Sequence, residues 1–243
     1  MSASPTLSAE RRIPRESIGD LVTDWTADDD LVAAVARDER PRVAIHRPDR
    51  PMVVLGRGSR PEVELDVEAC LADGAPLRRR RGGGCAVVLD PGNVVVSAAL
   101  GAEGIGGSRR WFDRFTRWIL DGLGTVGIEG IRTAGVSDLV LGSRKVGGSA
   151  IWRSKGLVYF STTLLAEAPL DLMQRWLAHP PREPGYRRGR SHRDFVDDLS
   201  DSLDPSDPAA DLEARLDDVL GSEGLITLLP DRTPGRRTRT PAP

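Results

Sequence analysis

Arg79-Arg80-Arg81-Gly82-Gly83-Gly84-Cys85-Ala86-Val87-Val88-Leu89-Asp90-Pro91-Gly92-Asn93 is the most specific stretch of this 243-residue chain. Three successive glycines leave backbone N–H groups bare, and such groups can cradle phosphate or carboxylate oxygens. The preceding arginines add fixed positive charge. No Gly-Lys-Ser/Thr follows and the next element reads as strand, so the segment is not a P-loop. Taken alone it has two readings, an anion cradle or a flexible turn between strands.

A second segment, Gly142-Ser143-Arg144-Lys145-Val146-Gly147-Gly148-Ser149-Ala150, holds one of only two lysines, against thirty-two arginines. Arginine serves here wherever a generic cation suffices. Lysine differs as a compact point charge with three donors on a flexible stem. Flanked by small residues, Lys145 reads either as a reactive or phosphate-binding group or as a solvated lysine in a turn.

The net charge of −2 supplies no global field that would call for nucleic acid or an anionic membrane. Charge is nevertheless uneven. Arg78 to Arg81 are four consecutive arginines, Arg182 to Arg193 carries five more, and Asp194 to Asp211 is acidic. Cys70 and Cys85 form neither a disulfide framework nor a metal-ligand spacing, which fits a reducing compartment. No apolar run approaches the roughly 18 residues of a membrane span, and the start of the chain lacks an apolar signal core. A cytoplasmic protein without membrane or nucleic-acid partners is expected.

Working outward, residues 1–16 are polar, aperiodic and expected to be flexible. Asp28-Asp29-Asp30 precedes a helix beginning at Leu31. Arg42 to His46 and Met52 to Leu55 read as strands joined through Pro48-Asp49-Arg50-Pro51. Val63 to Ala72 reads as a helix ended by Asp73-Gly74. Cys85 to Leu89 and Val94 to Leu100 form a second strand pair around the Asp90-Pro91-Gly92-Asn93 turn.

Arg109 to Leu123 places Phe112, Phe115, Ile119 and Leu123 on one helical face, broadened by Trp111 and Trp118. Strands follow over Asp138–Leu141, Lys145–Trp152 and Gly156–Leu165, then a helix over Pro169 to Leu177. An amphipathic helix lies near Pro208 to Leu220, then an apolar run Leu225 to Leu229 and a Pro/Arg/Thr end expected to be disordered. The fold class is α+β, with a central mixed, largely antiparallel sheet flanked by helices. Residues 17–200 are expected to form one catalytic domain, and 201–243 a short helix/strand appendage with a tail.

The two motifs occur in a fixed order. Arg-x-x-Gly-Gly-Gly-x-x-Val-x-x-Asp-x-Gly-Asn is followed by Asp-Leu-x-x-x-x-Arg-Lys-x-x-Gly-Ser-Ala and then Thr-Leu-Leu. Together they resemble the lipoate–protein ligase branch of the biotin/lipoate ligase family, over about Pro41 to Leu199. Pro184 to Leu199 is similar to a segment that follows the acyl pocket in one subgroup.

The resemblance implies a class II synthetase-like catalytic domain that uses ATP and Mg2+ to convert lipoate, or octanoate, to its adenylate. The acyl group then passes to a lysine of a lipoyl-domain or other carrier protein. It implies that Arg79 contacts nucleotide phosphate and that Gly82, Gly83 and Gly84 wrap the acyl carboxylate and α-phosphate. Cys85, Val87, Val88 and Asp90 would line the adenylate, with Asn93 the turn residue behind. Asp138 would lie near phosphate and magnesium. Lys145 would bridge the acyl carboxylate and α-phosphate, with Gly148, Ser149, Ala150 and Thr163 lining the site.

Departures from the family pattern bear on activity. Ser137-Asp138 replaces Asn-Asp, Ser161-Thr162 precedes Thr163-Leu164-Leu165 in place of His-Gly, and Arg81 replaces Ser or Thr. The stretch from Ser200 is too short for the accessory domain of long ligases, which makes a separate accessory subunit an expectation. Two alternatives stay open: a carrier-to-carrier acyl transferase, for which Cys85 is the only thiol near the site, and a non-catalytic binder of lipoyl-AMP or lipoylated protein. The arginine-rich 182–193 segment reads as a carrier-docking surface, a nucleotide lid or a solvated loop. His46 and His192 read as structural.

Overall fold

The structure is a computed structural model that describes residues 18–102, 107–154 and 156–229. The expected flexible start and most of the Pro/Arg/Thr end lie outside those residues.

After a short strand β1 (Val22–Asp24), helix α1 (Asp29–Asp38) begins with Asp29 and Asp30 in its first turn, complementing the helix dipole. Strands β2 (Arg42–His46) and β3 (Met52–Leu55) follow. The single helix expected over 63–72 is two: α2 (Pro61–Glu64) and α3 (Val67–Ala72). Asp66 breaks it by accepting the Ala69 N–H at 2.9 Å, a cap that a helix interior cannot offer. Strands β4 (Leu77–Arg79), β5 (Val87–Leu89) and β6 (Asn93–Gly101) precede the long helix α4 (Ser108–Thr125). Then come β7 (Ile131–Ala134), β8 (Asp138–Leu141), β9 (Arg144–Ser154) and β10 (Leu157–Leu165). Helices α5 (Leu170–Trp176), α6 (His192–Phe195), α7 (Pro208–Val219) and α8 (Ser222–Ile226) complete the described chain.

The strands form two sheets, where one central sheet was expected. The larger is wholly antiparallel, in the order β2-β6-β10-β9-β8-β7. The mixed character lies in the smaller, β1-β4-β3-β5, where β4 runs parallel to both neighbours and β5 antiparallel to β3. Neither expected strand pair is a hairpin. The 47–51 connection leads from β2 in one sheet to β3 in the other, and the Asp90–Asn93 turn leads back from β5 to β6. The same turn chemistry serves a sheet-to-sheet crossing as well as a hairpin, so composition could not separate them.

Alternation along β6 sorts its residues by face. Val94, Val96, Ala98 and Leu100 face outward into a core with Trp111, Phe115 and Ile119 of α4. Phe115 stacks on Phe160 of β10 at a 4.7 Å centroid separation. Leu212, Leu216, Leu220 and Leu225 belong to the same buried cluster. The division drawn at residue 200 therefore does not coincide with a break in packing, and the start of the Leu225–Leu229 run is helical rather than extended. The inner face, with Val95, Ser97 and Ala99, is left for the second sheet and α1. No helix among the described residues is long and apolar enough to cross a membrane.

Candidate functional site

A cavity of about 840 Å³ lies between the inner face of the six-stranded sheet and the smaller sheet. Lys145 enters it because of a register break. Leu139 pairs with Gly147 but Val140 pairs with Lys145, so β9 holds one residue more than β8 there. This bulge buries Val146 completely in the core and turns Lys145 onto the face of Gly148. A Cβ added to Gly148 would stand 2.9 Å from the Lys145 ammonium, so the lysine lies across that glycine.

Lys145 Nζ is 2.7 Å from Asp138 Oδ1, and the Tyr186 hydroxyl donates to Asp138 Oδ2 at 2.8 Å. Burial and the Asp138 charge push the Tyr186 phenol far up, so it remains a donor. Segment 196–197 clamps the lysine from behind, since the Asp197 N–H donates to the Lys145 carbonyl at 2.8 Å. Tyr186 packs on Phe195, and the guanidinium groups of Arg187 and Arg190 lie over that ring at 4.8 and 5.2 Å. The arginine-rich segment is thus folded against the site. His192 also lines the cavity, and its pKa is lowered to about 4 by burial, with Arg187, His179 and Lys145 adding to the effect. It adds no further cation near pH 7.

Gly82, Gly83 and Gly84 of the glycine loop all line the cavity, with Gly82 packed so close to β9 that an added Cβ would stand 2.9 Å from the Ala150 Cβ. Gly84 sits at φ +96°, which side chains rarely adopt. A Cβ at Gly56 would come within 1.9 Å of the Gly84 carbonyl oxygen, so the neighbouring turn can pack there only as glycine.

The three arginines before the loop have separate tasks. Arg79 is not among the cavity-lining residues; its Nη1 donates to the carbonyls of Gly56, Arg57 and Ser59 and so clamps that turn. Arg80 is half-buried and donates to the carbonyls of Val54, Gly83 and Cys85, fixing the loop. Desolvation lowers its pKa to about 10, which still leaves it charged at neutral pH. Arg81 pairs with Asp29 at 2.6 Å and lies over Trp152, so it neither reaches into the glycines nor crowds them.

Cys85, Val87, Val88, Gly148, Ser149, Ala150 and Thr163 line the cavity as expected positions. Asp90 and Asn93 do not. Asn93 is fully buried, accepts the Asp90 N–H and donates to the Glu167 carbonyl, so the pair holds the sheet-to-sheet turn. Burial raises the Cys85 thiol pKa, and nearby Glu64 raises it further. That is the reverse of an activated thiolate. Of the departures, Ser137 and Ser161 line the cavity, whereas Thr162 is buried and accepts from Ser149 Oγ.

Both oxygens of Asp138 are engaged, by Lys145 and Tyr186. Among the described residues no group of three His, Cys, Asp or Glu side chains converges to hold a metal. Magnesium ordinarily takes one or two carboxylates plus substrate phosphates, so Asp138 would hold it only together with a nucleotide, and no chemical step is routed through it. Sequence reasoning missed Asp28, Glu64 and Tyr186, which all contribute to the site. Glu64 is buried, accepts the Ala86 N–H at 2.6 Å and the Ser59 hydroxyl at 2.9 Å, and so pins the end of the glycine loop. No local signal marks it, because its link to the loop runs to Ala86, 22 residues on.

An antiparallel six-stranded sheet, helices packed outside it and a glycine loop and a lysine lining one cavity inside it define a class II synthetase-like catalytic fold. The chain belongs to the lipoyl protein ligase A/B catalytic-domain family, whose model matches residues 20–220. It is 31% identical over 144 residues to a lipoate–protein ligase of Streptococcus pyogenes serotype M5 (strain Manfredo), covering 59% of this chain and 41% of that protein. The chain thus spans about two fifths of the length of that curated relative. In structure it is similar to a bipartite lipoate protein ligase from Thermoplasma acidophilum described with its E2 lipoyl domain, at TM-score 0.66 and 22% identity over 84% of this chain and 83% of that one. A lipoate-protein ligase A bound with ATP is similar at TM-score 0.63 and 22% identity over 80% and 78% of the two chains.

Proposed function

We propose that this chain is an ATP-dependent lipoate–protein ligase in the cytoplasm. It joins lipoate, or octanoate, to AMP and transfers the acyl group to a lysine of a lipoyl-domain carrier. The observation that carries the reading is Lys145 laid across Gly148 by the Val146 bulge and lining one cavity together with the Gly82–Gly84 loop. Family membership and the name of the streptococcal relative support the same reaction class.

In the first step a carboxylate oxygen attacks the α-phosphorus of ATP and pyrophosphate leaves. Two anions must approach, and charge builds on the phosphoryl oxygens. Lys145 leaves Asp138 for the bridging position, and the loop N–H groups stabilise the same charge, each well-placed donor contributing about 3 kcal/mol. Asp138, still held by Tyr186, stays beside the lysine. In the second step the carrier amine attacks the acyl carbonyl carbon, AMP leaves, and the amine loses its proton. Magnesium is taken as the nucleotide's own counter-ion, and nothing in the two steps depends on a protein-built metal site.

The carrier is a lipoyl domain in this reading, and an accessory subunit is a further partner, as the bipartite organisation of the Thermoplasma acidophilum ligase suggests. Nucleic acid and membrane are not partners. The test is lipoate-dependent exchange of labelled pyrophosphate into ATP, by the chain and by Lys145→Ala. Exchange that requires lipoate and is lost in the variant supports the assignment. Absence of exchange, with a candidate accessory protein also supplied, would leave carrier-to-carrier acyl transfer or a binding role in its place.

A further inference from the structure

The cavity ends in a polar floor that an alkyl chain does not satisfy. Asp28, just before α1, is 4% exposed and lines the cavity. Its Oδ2 accepts from the Tyr159 hydroxyl at 2.7 Å and from the Trp25 indole N–H at 3.2 Å. Its Oδ1 is buried and has no hydrogen-bond partner. Behind it, the Tyr159 hydroxyl is 3.3 Å from Ser97 Oγ, which donates to Ser161 Oγ at 3.3 Å. The nearby guanidinium groups are committed elsewhere, Arg81 to Asp29 and Arg80 to loop carbonyls. A buried carboxylate oxygen left bare is costly, and a donor supplied by a ligand removes that cost.

Register fixes where this floor stands. Gly148–Thr163, Ala150–Ser161 and Trp152–Tyr159 are successive pairs on the inner face. Lys145 lies across Gly148, so Tyr159 is four residues of strand away, about 13 Å. That is the reach of a medium-length acid with its carboxylate at Lys145 and one hydrogen bond at its far end. The lining between is small or apolar, with Ala150, Val95 and Val54.

We infer that this slot selects a medium-chain carboxylic acid whose distal end carries an O–H, N–H or S–H donor, received by Asp28 Oδ1, over a methyl-ended chain of equal length. The inference rests on the proposed function for the position of the carboxylate. Within lipoate chemistry, the dithiol form offers two S–H donors, weaker than hydroxyls, and the disulfide form none.

Direct binding by calorimetry tests it, with and without AMP, using octanoate, ω-hydroxyoctanoate, oxidised lipoate and dihydrolipoate. The hydroxy acid is expected to bind at least roughly tenfold more tightly than octanoate, and dihydrolipoate several-fold more tightly than oxidised lipoate. Asp28→Asn keeps an oxygen for Tyr159 and Trp25 and turns an amide N–H₂ toward the slot. Asparagine also suits the residue before a helix, so folding is preserved, as circular dichroism would verify. In that variant the preference for the hydroxy acid should vanish and pass to ω-oxooctanoate, which ends in an acceptor. Equal binding of octanoate and the hydroxy acid by the unaltered protein, or an unchanged ratio in Asp28→Asn, overturns the inference. Binding in the expected order without pyrophosphate exchange sinks only the adenylation reading, whereas failure to bind any of the acids sinks both.

Discussion

The Lys145 ammonium and the Asp138 carboxylate lie 2.7 Å apart although their strands are out of register between them. The bulge at Val146 makes this possible. Were the same residues paired without a bulge, strict alternation would send Lys145 to the opposite face of β9 from Gly148, into the outer core. The position of Lys145 therefore depends on backbone irregularity as much as on residue type. Tyr186 completes the relationship by holding the second oxygen of Asp138.

Charge alone does not meet this geometry. In Lys145→Arg the planar guanidinium must occupy a point where Gly148 leaves room only for a narrow ammonium. Lipoate-dependent pyrophosphate exchange should fall about a hundredfold, close to the loss in Lys145→Ala. Retention of more than about a third of the rate by the arginine variant would show that a generic cation suffices.

Gly148→Ala probes the same contact from the other side. The added methyl would meet the Lys145 ammonium at 2.9 Å, and because that is the end of a flexible side chain, the lysine yields rather than the sheet. Exchange should drop roughly tenfold, since a displacement under 1 Å at the reacting centre is costly. The thermal midpoint should hardly move. A large loss of stability with unchanged exchange per folded molecule would contradict this.

The limits of sequence legibility follow from these contacts. The glycine loop, Lys145 and most strands could be read because their signals are local: spacing, turn residues and alternation. Asp28, Glu64 and Tyr186 could not, since each acts through a partner dozens of residues away, such as Tyr159, Ala86 or Asp138. Arg79 has a structural task its place in the motif did not announce, because its Nη1 is taken up by the carbonyls of residues 56, 57 and 59. The Val146 bulge left no mark either, as an apolar residue between Lys145 and Gly147 reads as ordinary strand.

Packing of α7 predicts that the folded unit extends beyond residue 200. Leu216 is fully buried in the cluster that holds Trp111, Phe115 and Phe160. Leu216→Ala should cost about 2–5 kcal/mol, the range for a buried leucine whose cavity relaxes only in part. Urea denaturation should show the loss in one transition followed by both far-ultraviolet dichroism and tryptophan fluorescence. A separate early transition confined to helical signal would mean that α7 is an appendage.

Acid and base sides of the stability profile should oppose each other through Asp90 and His192. Burial of Asp90, reinforced by Glu167, raises its pKa from 3.8 to about 6 despite the Gly92 N–H bond. Its folded form then binds more protons than the unfolded chain between those values, so its contribution falls as pH rises through that window. His192 runs the other way. Burial, then Arg187, His179 and Lys145, lower its pKa from 6.5 to about 4. Here the unfolded chain binds more protons, so stability is lost as pH falls from 6.5 toward 4. Over pH 4–6 the two slopes offset, and the unaltered protein should show a nearly flat urea midpoint. Asp90→Asn should uncover a midpoint that climbs with pH, with a gain of about 1 kcal/mol at pH 7 once solvent screening of this half-buried group is allowed for. His192→Asn should uncover a midpoint that declines with pH over the same range. Parallel profiles for all three proteins would mean that neither group carries the shift its surroundings imply.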